Sequence, residues 1–142
     1  GLLYSGSLDR AGNYQKATRA RPDFRIYDGD ELRFLTHPSL SGVISAGANL
    51  SPKAWSKITK ASLGLSDTRE DYPDRLQQIW TTGRYLRTLL DLYSSQTVQV
   101  IKQVLSEAGI IESPACTVQV EDVGEKVRSV IEEMKKFGDY VK

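Results

Sequence analysis

The chain has 142 residues, about the size of one domain, and its 19 basic and 18 acidic side chains nearly cancel. No long run of either charge occurs, and the strongest basic cluster is the pair Lys135-Lys136. Because nucleic-acid and polybasic membrane surfaces need a concentrated basic face, this pattern argues against both classes of function.

Cysteine usage and hydropathy indicate the compartment. Cys116 is the one cysteine, which excludes an intramolecular disulfide and suits a reducing environment. No stretch approaches the roughly 20 apolar residues of a membrane span, and no signal peptide is apparent. We therefore expect a cytoplasmic protein without a membrane partner.

The first half of the sequence alternates short apolar runs with polar segments. Apolar runs of strand length occur at residues 2–4, 24–27 and 42–46. Residues 9–21 are expected to be a helix or a loop, with Leu8, Tyr14 and Ala17 as candidate inward positions, and residues 31–35 are expected to be helical. This spacing predicts right-handed crossovers and a parallel sheet of about three strands. The strand at residues 2–4 has an unpaired edge, so we expect another chain or a further part of a longer protein to cover it.

The second half is predicted to be helical. A helix capped by Ser51 begins at Pro52 and closes at Gly64. The helix at residues 71–93 is amphipathic, with an expected buried stripe of Tyr72, Leu76, Ile79, Trp80, Gly83, Leu86, Leu90 and Tyr93. The inward positions of the helix that starts at residue 97 are Val98, Ile101, Val104, Leu105 and Ala108. Those of the helix at residues 120–137 are Val123, Val127, Val130, Ile131 and Met134.

Carboxylates cluster after the second predicted strand, at Asp28, Asp30 and Glu31. In parallel α/β folds this end of a strand is where sites are built. The cluster could bind a polyhydroxylated or cationic ligand, transfer protons or hold a metal. The simpler interpretation is that Asp28 or Asp30 caps the next helix.

Small residues dominate the segment at residues 42–49, which ends the third predicted strand. Small side chains let a ligand or another backbone approach closely, but a tightly packed strand has the same composition. The segment is therefore either a binding surface or a packing surface.

Other chemically capable residues have no partner in the sequence. His37 is expected at a loop or helix end, and Cys116 is expected to be a quiet buried thiol. Lys102 is expected to be solvated or to form a structural ion pair. The sequence contains no metal-ligand spacing and no phosphate-binding glycine loop.

Four segments together resemble the C-terminal half of the dihydrodipicolinate synthase / N-acetylneuraminate lyase family. Residues 1–6, GLLYSG, are similar to its sixth strand, and residues 23–31, DFRIYDGDE, to its seventh strand and Gly-Asp-Asp turn. Residues 42–52, GVISAGANLSP, resemble the eighth strand, G-V-I-S-x-x-A-N-x-x-P, and are the most specific of the four. Residues 100–102 and 109–110 are similar to a late helix of the family.

The resemblance implies an α/β fold, the C-terminal part of a (β/α)8 barrel followed by a helical layer. Residues 1–65 would be the last barrel strands and helices. Residues 66–142 would be the last barrel helix and the helical extension, in one structural domain with the missing N-terminal half. The family assembles as homo-oligomers, so association with that half-barrel or with a second copy is expected.

The resemblance also implies a pyruvate-dependent lyase, which forms or cleaves a carbon–carbon bond with an aldehyde through a lysine Schiff base. No metal or organic cofactor takes part in that chemistry. Leu3 occupies the position of the Schiff-base lysine. The implied substrate-binding residues are Gly29, Asp30, Glu31, Ile44, Ser45 and Asn49, the last shaping the turn after the eighth strand.

The sequence departs from the family pattern in ways that bear on function. Leu3 has no amine, and the segments corresponding to strands one to five are absent, so this chain alone is expected to be inactive. The interval from Gly29 to Ile44 is about two residues shorter than in the family pattern, and a late Leu-Pro segment is not reproduced around Pro114. One alternative is a non-enzymatic homologue that serves as a scaffold or small-molecule sensor. Another is a free-standing helical interaction domain with a small α/β cap.

Overall fold

The computed structural model describes residues 1–64, 72–117 and 121–140, an α/β arrangement that is mostly helical. The strands are β1 (Leu2–Tyr4) and β2 (Ile26–Asp28). The helices are α1 (Leu8–Ala17), α2 (Glu31–Thr36), α3 (Pro52–Ser62), α4 (Tyr72–Tyr93), α5 (Thr97–Glu107) and α6 (Gly124–Phe137). Short 3₁₀ turns cover Gly47–Asn49 and Ser94–Gln96.

The two strands pair in parallel, with Leu3 opposite Tyr27. The third predicted strand is reduced to a single parallel bridge between Asp28 and Val43. Backbone hydrogen bonds still continue the ladder there, since Asp28 N–H donates to Gly42 O at 2.8 Å and Ile44 N–H donates to Asp28 O at 2.9 Å. The chain then turns into the Gly47–Asn49 3₁₀ turn, which leaves too few extended residues for a full strand.

The main hydrophobic core is formed by helices. It joins Phe34 of α2 and Leu50 to the apolar faces of α3, α4, α5 and α6. Its largest fully buried side chains include Tyr93, Phe34, Leu86 and Leu89. A second, smaller cluster beside the strands contains Ala11, Ile26 and Leu40.

The predicted stripe of α4 is partly wrong. Gly83, Leu86 and Tyr93 are buried as predicted, but Leu76 is 47% exposed and Trp80 is 70% exposed. The helix carries two overlapping apolar stripes, and the one that enters the core comprises Tyr85, Leu86, Leu89 and Tyr93. The side chain of Tyr72 lies outside the described residues.

The predicted inward positions of α1 are wrong, and those of α5 are partly wrong. In α1 the residues Leu8, Tyr14 and Ala17 are exposed and Ala11 is buried, because only one face of this helix meets the small strand cluster. In α5, Val98 is 63% exposed, whereas Ile101 and Val104 are buried.

The apolar face of α6 is confirmed. All five predicted positions from Val123 to Met134 are buried, although the predicted start of the helix at Val120 lies outside the described residues. None of the helices in the described ranges has both the length and the apolar character that crossing a bilayer requires.

Candidate functional site

A cleft of about 550 Å³ opens at the carboxyl ends of the two strands. It is bounded by the turns that follow β1 and β2, by the segment after Val43, and by the junction of α4 and α5. The lining residues are Ser5, Gly29, Asp30, Glu31, Leu32, Ile44, Ala46, Leu90, Asp91, Ser94 and Thr97. Four of the sequence-predicted site residues, Gly29, Asp30, Glu31 and Ile44, are in this set.

Leu3 lies beside Gly29 but is not among the lining residues of this cleft. A Cβ placed on Gly29 would lie 3.1 Å from Leu3 Cδ1, so the Leu3 side chain fills the space next to Gly29. The Leu3 side chain is 53% exposed. The position at which the resemblance expects an amine therefore lies beside the cleft, but it carries an isobutyl group.

Asp30 caps α2. Its Oδ1 accepts a hydrogen bond from Arg33 N–H at 2.9 Å, as the simpler sequence interpretation predicts. The cap leaves its carboxylate exposed at the cleft wall. Asp30 therefore has a structural contact and remains accessible to a ligand.

Asp28, in contrast, is fully buried in an ion pair with Arg33. Its Oδ1 lies 2.5 Å from Arg33 Nη2 and its Oδ2 accepts from Arg33 Nε at 3.0 Å. Asp28 also accepts from Asp30 N–H at 2.8 Å. The hydrogen bond to Asp28 raises the pKa of the Arg33 guanidinium above its ordinary value.

Arg33 extends the same contact to the end of β1. Its guanidinium donates to the carbonyl oxygens of Tyr4, at 3.1 Å, and Gly6. It also lies 5.8 Å from the centre of the Tyr4 ring, a cation–π distance. Arg33 thus fixes the end of the strand that carries Leu3, a role that sequence reasoning missed because an arginine early in a helix is usually solvated.

Both carboxylate oxygens of Glu31 are engaged within the chain. Oε1 accepts from Ser45 Oγ–H and, at 2.8 Å, from Gly47 N–H. Oε2 accepts from the Tyr93 hydroxyl at 3.0 Å. Ser45 Oγ in turn accepts from Ala48 N–H at 3.0 Å.

Tyr93 is 1% exposed at the end of α4. Burial raises the pKa of its phenol, and the negative charge of Glu31 raises it further. Its burial was predicted from the helical pattern, whereas its contact with Glu31 was not, because 62 residues separate the two in sequence.

The small-residue segment serves packing at one position and lines the cleft at others. At Gly47 a Cβ would collide with the Tyr93 hydroxyl and would lie 3.0 Å from Trp55 Nε1. Ile44, 53% exposed, and Ala46 line the cleft. Asn49 donates from Nδ2 to Ala46 O at 2.9 Å across the 3₁₀ turn.

Ser51 is the N-cap residue of α3, as predicted, although its side chain makes no capping hydrogen bond. Its fully buried hydroxyl instead pairs with the Tyr85 hydroxyl at 2.9 Å, and Tyr85 also donates to Asp139 Oδ2 at 3.1 Å. Pro52 is the first residue of α3, as predicted.

The remaining chemically capable residues lie outside the cleft lining. His37 is exposed at the end of α2, and Lys102 Nζ donates to Ala115 O. Cys116 is partly exposed, with Sγ 3.5 Å from Pro114 O. Within the described ranges no three His, Cys, Asp or Glu side chains form a group that could hold a metal ion.

The described lining has a distinct chemical character. It offers the carboxylates of Asp30 and Asp91, the hydroxyls of Ser94 and Thr97, and apolar surface from Ile44 and its neighbours. These oxygens can accept hydrogen bonds from ligand hydroxyl or ammonium groups. No lysine or arginine is among these lining residues, so this part of the cleft offers no amine for an imine.

Comparisons of the chain with protein-family models, with curated proteins and with solved structures find no match. The residues of the cleft and the resemblance of the motifs that surround it are therefore the observations that bear on function.

Proposed function

We propose that the chain is the C-terminal part of a (β/α)8-barrel lyase that acts on pyruvate through a lysine Schiff base. The observation that carries the proposal is that three segments of the chain converge. The segments around Leu3, Gly29 and Ile44, which resemble successive strands of the lyase family, all end at one cleft. In parallel barrels the carboxyl ends of the strands form the active site.

The proposed reaction needs an amine beside the bound 2-keto acid. A lysine nitrogen attacks the keto carbon and water leaves. The resulting iminium accepts the electron pair of the breaking carbon–carbon bond while a base takes the proton from the hydroxyl of the departing aldehyde, and an enamine is left. Protonation of the enamine and hydrolysis of the imine then release pyruvate and the lysine, and the reverse sequence forms the bond. The chemistry requires neither a metal nor an organic cofactor. The substrates would be pyruvate, or another 2-keto acid, and an aldehyde.

This chain does not provide that amine at Leu3. The complete enzyme would therefore need a lysine in place of Leu3, together with the barrel strands that this chain lacks, and the chain alone would be inactive. The residues proposed to contact substrate are Gly29, Asp30, Ile44 and Ser45, with Glu31 and Asn49 shaping the cleft.

The same proposal implies a partner that covers the exposed apolar side chains near the strands. Leu3, Leu32 and Ile44 are each 53% exposed, an unusual exposure for large apolar side chains beside a parallel sheet. An N-terminal half-barrel, or a second copy of the chain in a homo-oligomer, would cover them.

A non-enzymatic scaffold or small-molecule sensor is the second candidate. The identity of Leu3 favours it, because the isobutyl group beside Gly29 cannot form an imine with a ligand. A ligand of the cleft could then bind only reversibly at this position.

Pyruvate with borohydride separates the two candidates. The lyase proposal predicts a reduced adduct when Leu3→Lys is placed in a barrel completed by its N-terminal half. The sensor candidate predicts reversible pyruvate binding to the wild-type cleft, seen as shifts of the Ile44 and Gly29 amide signals by NMR, and no adduct in either protein.

A further inference from the structure

We infer that Glu31 and Tyr93 are positioning residues, which hold the segment that carries Ile44 and Ser45 at the wall of the cleft. This assignment rests on the proposed function, since it specifies how one wall of that cleft is fixed. It differs from a ligand-contacting role for Glu31, because the carboxylate acts here through another part of the chain.

Both carboxylate oxygens of Glu31 already accept hydrogen bonds from within the chain. Oε1 accepts from the Ser45 hydroxyl and the Gly47 N–H, and Oε2 accepts from the Tyr93 hydroxyl. A ligand hydroxyl that bonded to Glu31 would have to share or displace one of these donors. Displacing the Tyr93 hydroxyl would leave a buried phenol without its acceptor, which is costly.

Close packing of the Gly47 backbone against Tyr93 supports the inference independently of the hydrogen bonds. The space that a Cβ would occupy there is already filled by the Tyr93 hydroxyl, with Trp55 Nε1 at 3.0 Å. The backbone of this segment can therefore approach Glu31 and Tyr93 only because residue 47 is glycine. Ile44 and Ala46 lie just before this contact and line the cleft.

The two residues come from different elements. Glu31 is the first residue of α2, and Tyr93 is the last residue of α4. Their contact therefore joins the turn after β2, the segment after Val43 and the main helical core. A segment with only one bridge to β2 and no full strand of its own needs such an external support.

Hydrogen exchange of the Gly47 amide in the 142-residue chain tests this inference directly. Tyr93→Phe removes the donor to Oε2, and we expect Gly47 to exchange about tenfold faster or more, as for loss of a hydrogen bond to a charged group. Tyr85→Phe is the matched control, because Tyr85 is a buried tyrosine of the same helix whose hydroxyl bonds to Ser51 and Asp139. It should leave Gly47 exchange unchanged relative to the Ala108 amide of α5.

Two substitutions of Glu31 separate positioning from general stabilisation. Glu31→Ala removes every acceptor and should release the Gly47 amide fully. Glu31→Gln retains one carbonyl oxygen for Gly47 N–H, so it should restore most of the protection that Glu31→Ala loses. Equal Gly47 exchange in the Tyr93→Phe and Tyr85→Phe chains, or in the Glu31→Gln and Glu31→Ala chains, would overturn the inference.

A pyruvate titration of the same variants distinguishes this inference from the proposed function. If wild-type Ile44 and Gly29 signals shift with pyruvate, Tyr93→Phe should weaken the apparent affinity severalfold while Tyr85→Phe does not. If pyruvate moves neither signal, the reversible pyruvate binding that the sensor candidate predicts for the wild-type cleft is wrong, and the exchange data still decide the positioning role.

Discussion

Arg33 lies with its Nη2 2.5 Å from the Oδ1 of Asp28, a carboxylate with no solvent exposure, and the same guanidinium donates to the carbonyl oxygens of Tyr4 and Gly6. The side chain of Arg33 is 12% exposed. One ion pair therefore fixes the end of β1 against the end of β2. Buried ion pairs of this kind are costly to break from one side, because the remaining charge stays in the interior without a partner.

Arg33→Met should consequently reduce the free energy of unfolding by about 3 kcal/mol, since it leaves Asp28 buried and unpaired. The measurement is a urea unfolding curve. Lys136→Met is the comparison, because it breaks the exposed Lys136–Glu133 pair of α6 and should produce no resolvable change. Equal effects of the two substitutions would show that the Asp28–Arg33 pair is not the buried support described above.

Substitution of the two tryptophans tests which face of α4 is buried. Trp55 of α3 is 3% exposed within the main core, and Trp80 of α4 is 70% exposed. Trp55→Ala should cost about 3–5 kcal/mol, as for a large side chain removed from a packed core. Trp80→Ala should change stability by only about 0.5 kcal/mol, as for a surface position. A large loss for Trp80→Ala would restore the stripe expected from periodicity, and acrylamide quenching of each single-tryptophan chain provides a second measurement.

Stability at high pH should depend on two buried phenols. Burial raises the pKa of both Tyr85 and Tyr93, and the charge of Glu31 adds to the effect at Tyr93. Because their folded-state pKa values lie above the unfolded value of about 10, their stabilising contribution is complete below pH 10. It is lost as the pH rises above 10, since the unfolded chain then releases protons that the folded chain retains.

The melting temperature of the wild-type chain should therefore fall steeply above about pH 10. The fall should be shallower in Tyr85→Phe and in Tyr93→Phe, and shallowest in the double variant. Thermal melts between about pH 8 and 11.5 measure this. A double variant with the wild-type pH dependence would show that these phenols ionise alike in the folded and unfolded chains.

Local patterns in the sequence predicted the positions of helices and strands better than they predicted which face of each helix is buried. β1, α2 and the buried positions of α6 follow directly from strand-length apolar runs, a capping aspartate and helical spacing. The buried face of α4 followed only in part, because the helix has two apolar stripes and only tertiary packing against α3 and α6 selects between them.

Parts of the site were predictable for the same reason. Asp30 and Glu31 were expected at a site because strand ends converge in a parallel sheet, whereas Gly29 and Ile44 were expected there only through the family resemblance, and all four line the cleft. The contacts of Glu31 with Tyr93 and of Ser51 with Tyr85 span 62 and 34 residues. No local pattern encodes such pairs, since each partner has an ordinary local explanation as a helix-start acid, a cap or a core aromatic.

We expect the isolated chain to self-associate. The exposed side chains of Leu3 and Ile44 lie near the strand ends and that of Leu32 lies in the first turn of α2, beside a sheet that has two short strands in the described ranges. Unpaired strand edges and apolar sheet faces bind other chains. We expect sedimentation of the isolated chain to show species above the 15.8 kDa monomer, with Leu3→Ser and Ile44→Ser shifting the distribution toward monomer. A monodisperse monomer with a cooperative melt would contradict this expectation.

Catalysis turns on Leu3. The wild-type chain should yield no adduct in the cleft with pyruvate and borohydride, because borohydride captures an imine and no lysine is among the described lining residues. Leu3→Lys in a barrel completed by its N-terminal half should yield one. Closure of the barrel would desolvate that amine and lower its pKa, so that it becomes nucleophilic near neutral pH, whereas the carboxylates of Asp30 and Glu31 would limit the decrease.

Mass spectrometry of the reduced protein locates the adduct on a particular residue. Lys102 is the internal control, since its Nζ already donates to Ala115 O and it lies outside the cleft lining. An adduct on Lys102 in the wild-type chain would show that the strand register argued from Leu3 is wrong. If the completed barrel with Leu3→Lys binds pyruvate but is never trapped, the sensor candidate replaces the lyase, because the cleft would then recognise the 2-keto acid without aligning its carbonyl to the amine.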